Sequence, residues 1–82
     1  MTSHDKTKPL TELEFQVTAR IAQILDGRGI GQHLDEIGIH LGDHIEVLRR
    51  APFGGPFHVR CTDQNLALGK NLAEKILVET RT

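Results

Sequence analysis

The sequence predicts one small, mainly β domain, a barrel or a sandwich of five short strands. Its 82 residues suffice for a single domain. Apolar and polar residues alternate in several short runs, which is the period of half-buried strands. Turns rich in glycine and proline separate these runs. Closing such a sheet on itself would remove its exposed edges, which favours the barrel.

The first nine residues are polar and charged and end at Pro9, so we expect a flexible arm over residues 1–9 and a domain over residues 10–82. Residues 10–15 are expected to pack loosely on the domain and to lead into the first strand. This strand begins near Val17, where apolar and polar residues alternate up to Ile21. The alternation slips at Ala22, which predicts a bulge or a strong bend.

A short helix follows, with Ile30, Leu34, Ile37 and Leu41 at helical spacing. Gly38 stands where a C-terminal capping glycine belongs. We therefore expect the helix to end at Ile37 and Leu41 to lie in the turn beyond it.

The rest of the chain predicts the remaining strands. Phe57, Val59 and Cys61 alternate with polar residues, so these three side chains should point inward. The expected order is a strand over 44–50, a hairpin turn over 52–56, a strand from 57, a turn over 62–65, a strand around 66–68, a helical turn over 72–75 that residues 69–71 open, and a closing strand over 76–78.

Composition excludes several functions. Ten basic residues against eleven acidic ones leave no basic face for a nucleic acid, and the chain has no Trp or Tyr for stacking bases or lining a proline-rich peptide groove. No apolar run approaches the roughly 20 residues that a membrane span needs, so we expect no direct membrane insertion. The polar N-terminus lacks the apolar core of a secretory signal, which predicts a cytoplasmic location.

The five histidines raise the question of a metal site. His40 and His44 have the spacing of two ligands on one helical face, but Gly42 lies between them and the helix should end before them. A metal site needs three or four convergent ligands. We therefore expect no metal site and no required cofactor, with His40 and His44 as the only candidates for a divalent metal, Fe or Zn.

No catalytic group emerges from the sequence. Cys61 is expected to be buried and to behave as a small hydrophobe. Ser3 is the only serine and lies in the arm. We therefore expect no enzymatic activity.

The turn over residues 52–56 is the best candidate for a partner-binding surface. Pro52, Gly54 and Gly55 favour a tight, stiff reversal. Phe53 at its tip either is exposed as an anchor for a partner or folds back over the barrel mouth. Arg49 and Arg50, just before the turn, either pair with acidic groups of a partner or keep the strand soluble.

The ordered set of these motifs resembles the ferrous iron transport protein A (FeoA) family. It is also similar to the barrel that ends the iron-dependent repressors related to the diphtheria toxin repressor. The resemblance runs from about Val17 to Glu79. It is carried by Leu34-x-x-Ile37-Gly38-Ile39-x-x-Gly42, Ile45-x-Val47, Ala51-Pro52-x-Gly54-Gly55-Pro56, Leu66-Ala67-Leu68 and Ala73-Glu74-x-Ile76-x-Val78.

The resemblance implies an SH3-like five-stranded β-barrel with one short α-helix and a helical turn before the last strand. It also implies a cytoplasmic accessory protein of ferrous iron uptake that contacts the membrane transporter FeoB, whose cytosolic part is a GTPase domain. The alternative is a metal-responsive regulatory or dimerisation domain, in which Fe(II) or Zn(II) bridges histidines and promotes self-association. The sequence leaves the oligomeric state open.

Overall fold

The computed structural model describes residues 7–25 and 29–80. Within them the chain forms six strands, two short α-helices and one 3₁₀ turn. Their order is β1 (Thr7–Pro9), the 3₁₀ turn (Leu10–Glu12), β2 (Thr18–Ile24), α1 (Ile30–Glu36), β3 (His44–Arg50), β4 (Phe57–Cys61), β5 (Gln64–Leu68), α2 (Lys70–Glu74) and β6 (Ile76–Glu79).

All six strands belong to one antiparallel sheet in the order β1-β6-β2-β3-β4-β5. Alternate side chains of its strands enter a single hydrophobic core. In β4, for example, Phe57, Val59 and Cys61 are buried while His58 and Arg60 are exposed, as the alternation predicted. The fold is therefore the mainly β, SH3-like architecture that the sequence indicated, with one strand more than expected.

The additional strand is β1, and it corrects the predicted arm. Thr7 lies opposite Glu79 and Pro9 opposite Leu77, so residues 7–9 are paired with β6. An edge strand needs only backbone pairing on one side, and it tolerates a proline. Its polar sequence therefore gave no sign of a strand. The rest of the predicted arm, residues 1–6, lies outside the described residues.

The segment that follows β1 is packed tightly, which is also a correction. Leu10 is fully buried and Leu13 is nearly so. The 3₁₀ turn contacts α2, whose Ala73 is buried as well. Because β1 and β5 do not pair with each other, these two short helices cover the core where the ladder of strands stops.

The bulge in β2 and the capping glycine after α1 confirm two predictions, and α1 ends at Glu36, one residue earlier than expected. The register between β2 and β6 shifts between Ile21 and Gln23, at the residue where the alternation slipped. After α1, Gly38 has a φ of +94°. Its N–H donates to the carbonyl of Asp35, and the N–H of Ile39 donates to that of Leu34. These two bonds form a Schellman motif, which ends the helix.

The turn before β5 is shorter than expected. Only Thr62 and Asp63 form it, because β5 already begins at Gln64. The polar composition of Gln64-Asn65 predicts a loop. In the fold it can pair with β4 while its side chains stay exposed to solvent at the sheet edge.

Candidate partner-binding hairpin

The hairpin between β3 and β4 is rigid at its base. The N–H of Ala51 donates to the carbonyl of Pro56 at 3.0 Å, and the N–H of Gly55 donates to that of Pro52 at 3.2 Å. A Cβ atom on Gly55 would lie 2.6 Å from the Cβ of Ala51, so only glycine permits this close approach. The two arms are therefore held together up to the tip.

Phe53 is the residue at the tip, and it does not fold back over the barrel. Its relative exposure is 103%. Its φ of +59° lies in the left-handed region, which a bulky side chain rarely adopts. Neither burial nor backbone preference thus explains a phenylalanine at this position. Strained residues of this kind concentrate at functional sites.

The arms of the hairpin are cationic. Residues 48–60 contain three arginines and no carboxylate, although the whole chain has a net charge of −1. Arg49 is exposed and lies opposite His58 across the ladder. The guanidinium carbon of Arg50 lies 5.6 Å from the ring centre of Phe15 and 5.9 Å from that of Phe57. These cation–π contacts favour a defined position for Arg50.

The two candidate metal ligands are not brought together. His40, in the turn after α1, has its Nε2 2.8 Å from Asp35 Oδ1 and its Nδ1 3.4 Å from Asp43 Oδ2. His44 begins β3 and lies opposite Arg20 of β2, in a separate depression. Within residues 7–25 and 29–80, no group of three or more His, Cys, Asp or Glu residues is placed to hold a metal ion.

Asp43 is a residue whose role the sequence did not reveal. Besides His40, it contacts the buried thiol of Cys61, with Oδ2 3.8 Å from Sγ. Burial raises the pKa of the Cys61 thiol, and the charge of Asp43 raises it further. Since the thiolate is the nucleophilic form, this environment suits a packing residue and disfavours nucleophilic chemistry. The contact joins two distant segments, and no local spacing pattern could have indicated it.

The comparisons with known proteins decide the family. A family model described as the FeoA domain matches residues 8–80. The chain belongs to the FeoA family. Among the described residues of this FeoA protein, no helix combines the length and apolarity required to cross a bilayer.

Individual relatives agree with this assignment. A protein of Methanocaldococcus jannaschii named "Putative Fe(2+) transport protein A" is 36% identical over 59 residues, which are 72% of this chain and 70% of the relative. A crystal structure of an iron uptake regulatory protein (FeoA) superposes with a TM-score of 0.79 at 30% identity, covering 89% of this chain and 96% of that one.

The barrel is also similar to part of a repressor. A manganese-dependent transcriptional repressor superposes with a TM-score of 0.87 at 25% identity. The match covers 96% of this FeoA chain but only 44% of the repressor. Both resemblances drawn from the sequence, to FeoA and to the metal-dependent repressors, are confirmed.

Proposed function

We propose that this chain is a cytoplasmic accessory and regulatory protein of ferrous iron uptake, which acts by contact with the cytosolic GTPase part of the membrane transporter FeoB. Membership of the FeoA family supports the link to iron uptake. The observation that carries the contact is Phe53, a fully exposed aromatic in a strained backbone conformation on a rigid hairpin. The role requires no reaction and no metal bound to the chain itself.

The hairpin offers two complementary contributions to such a contact. Phe53 can enter an apolar pocket of the partner, because buried aromatic anchors carry much of the energy of protein interfaces. Arg49 lies on the adjoining arm and can face carboxylates on the same partner. Charges at the rim of an interface chiefly accelerate association. The proposed binding face of FeoB therefore combines an apolar pocket with an acidic rim.

A titration of the chain against the cytosolic part of FeoB, with and without guanine nucleotide, tests the proposal. Phe53→Ala should weaken binding about thirtyfold, the effect of a typical hot-spot residue. Arg49→Glu should lower the rate of association with FeoB. Raising the salt concentration should bring the association rates of this variant and the unchanged chain closer together, because salt screens the charges. Leu41→Ala is the matched control, since Leu41 is also an exposed apolar residue but precedes β3, whereas the hairpin turn follows the other end of that strand.

Stability measurements separate a binding role from a folding role. Phe53→Gly should unfold at an equal or higher denaturant concentration than the unchanged chain, because glycine adopts positive φ without strain. It should nevertheless bind FeoB as weakly as Phe53→Ala. Undiminished binding by both Phe53 variants would place the contact elsewhere on the barrel.

A further inference from the structure

Strand β5 is an unguarded edge of the sheet. It is hydrogen-bonded to β4 alone, and all five of its residues pair in continuous register without a bulge. Gln64, Asn65 and Ala67 are exposed. Edge strands are commonly protected by charged residues, prolines or bulges against pairing with another chain. The opposite edge, β1, contains Lys8 and Pro9, whereas Gln64–Leu68 contains neither a charge nor a proline.

The backbone groups available at this edge follow from the hairpin register. Cys61 and Gln64 close a two-residue turn, so they exchange hydrogen bonds with each other. Val59 with Leu66 and Phe57 with Leu68 do the same. The N–H and C=O groups of Asn65 and Ala67 therefore point away from β4. Within residues 7–25 and 29–80, no hydrogen bond involves these outward groups.

The charges at the two ends of β5 are self-complementary. Asp63 precedes the strand and Lys70 follows it, both are exposed, and neither has an ion-pair partner within the described residues. In an antiparallel pair of two copies centred on Leu66, Asp63 of one copy lies opposite Gly69 of the other, one residue before Lys70. Charges of opposite sign therefore meet at both ends of the paired strands. The same register pairs Asn65 with Ala67 and allows four backbone hydrogen bonds across the two-fold axis.

We propose that β5 is a self-association edge, through which two copies of this chain pair antiparallel about Leu66 and join their sheets into one. Leu66 is half-buried in the single chain. In the dimer it faces the same residue of the second copy, which adds an apolar cross-strand contact at the centre. This surface does not include the hairpin tip at Phe53, so the two proposals concern different residues.

Sedimentation velocity of the intact chain from micromolar to millimolar concentration tests this proposal. We expect a monomer–dimer equilibrium. Ala67→Pro removes two of the four intermolecular bonds without touching the bonds to β4, so it should raise the dissociation constant roughly thirtyfold. Circular dichroism reports whether this variant keeps the fold.

A charge exchange provides a second, independent test. Asp63→Lys should raise the dissociation constant several-fold, and the double variant Asp63→Lys with Lys70→Asp should return it close to the original value. Glu36→Lys is the matched control, because Glu36 is an exposed residue of α1 and the substitution makes the same change of charge. It should leave association unchanged. Restoration by the double variant would support the proposal even if Ala67→Pro failed to fold.

Amide hydrogen exchange locates the interface. The amides of Asn65 and Ala67 should exchange more slowly at high than at low protein concentration, while that of Val59 should not respond. A monomer at millimolar concentration, or protection of Asn65 and Ala67 that does not depend on concentration, would overturn the proposal. So would a dimer that Ala67→Pro and Asp63→Lys both leave intact.

Discussion

Two glycines in the segment that follows α1 allow the cost of left-handed backbone to be separated from the cost of a side-chain collision. Gly38 has a φ of +94° and Gly42 a φ of +89°. A Cβ atom on Gly38 would lie 2.5 Å from Nε2 of Gln64, whereas one on Gly42 would meet nothing within 4 Å. Alanine at Gly42 thus introduces strain alone, and alanine at Gly38 introduces strain and a collision.

The magnitudes follow from this geometry. Left-handed backbone costs an alanine about 1–2 kcal/mol, and the lower entropy of its unfolded chain offsets part of that cost. We therefore expect Gly42→Ala to lower the free energy of unfolding by about 1 kcal/mol, which corresponds to a Tm decrease of about 4–8 °C. Gly38→Ala should cost about 0.5 kcal/mol more, because Gln64 is exposed and can swing away at the loss of a weak bond to the carbonyl of Ile37.

Urea unfolding, monitored by circular dichroism, measures both losses of stability. The comparison requires that the free energy of unfolding falls with urea concentration at the same slope in every variant. In a chain that already carries Gln64→Ala, Gly38→Ala should cost no more than Gly42→Ala does, because no side chain is left to displace. Gly38→Asn should be milder than Gly38→Ala because asparagine tolerates positive φ. A Gly42→Ala variant as stable as the unchanged chain would refute the strain argument. A Gly38→Ala variant more than about 2 kcal/mol below Gly42→Ala would show that Gln64 is held in place.

Three further predictions concern the core, the thiol and a helix start. Val59→Ala, at a fully buried position, should lower the free energy of urea unfolding by about 2–3 kcal/mol, and a loss under 1 kcal/mol would contradict the packing seen here. Because burial raises the pKa of Cys61, the folded chain holds the thiol proton more tightly than the unfolded chain. Stability should therefore fall as the pH rises above the ordinary thiol pKa of about 8.5, and Cys61→Ala should lack that part of the pH dependence of urea unfolding. Gly69 is the N-cap of α2, with extended backbone and no side-chain cap. Gly69→Asp should therefore raise the free energy of unfolding by about 0.5–1 kcal/mol and raise Tm with it, and an unchanged Tm would argue against the cap.

Local patterns predicted those elements whose residues are governed by their immediate neighbours. The alternation over 57–61 identified the buried face of β4, because a strand between two others repeats its environment every second residue. Gly38 identified the end of α1, because the Schellman motif involves only residues close in sequence. The slip at Ala22 identified the bulge for the same reason.

Other features could not be predicted because partners far along the chain create them. Thr7–Pro9 forms a strand only because its backbone pairs with that of β6. Leu10 and Leu13 are tightly buried because α2, about 60 residues later, covers the same part of the core. The contact of Asp43 with Cys61 likewise joins the turn before β3 to β4.

The candidate hairpin also has features that the sequence predicted and features that only the structure shows. Its composition was visible in the sequence, as a stiff turn with Phe53 at the tip and arginines beside it. Two orientations of Phe53 were compatible with that composition, and only the structure shows the ring fully exposed at positive φ. The unguarded edge at β5 was hidden altogether, since whether a strand lies at an edge depends on the order of all six strands.

The sequence by itself thus determined the class of the fold, the inward face of its strands and the end of its helix. These depend on residue periodicity and on short-range hydrogen bonds, which act between near neighbours. The tertiary structure alone decided which polar segments become strands, which strand is left with free backbone groups and where Phe53 points. These depend on long-range pairing and on competition for the core, so no local pattern contains them.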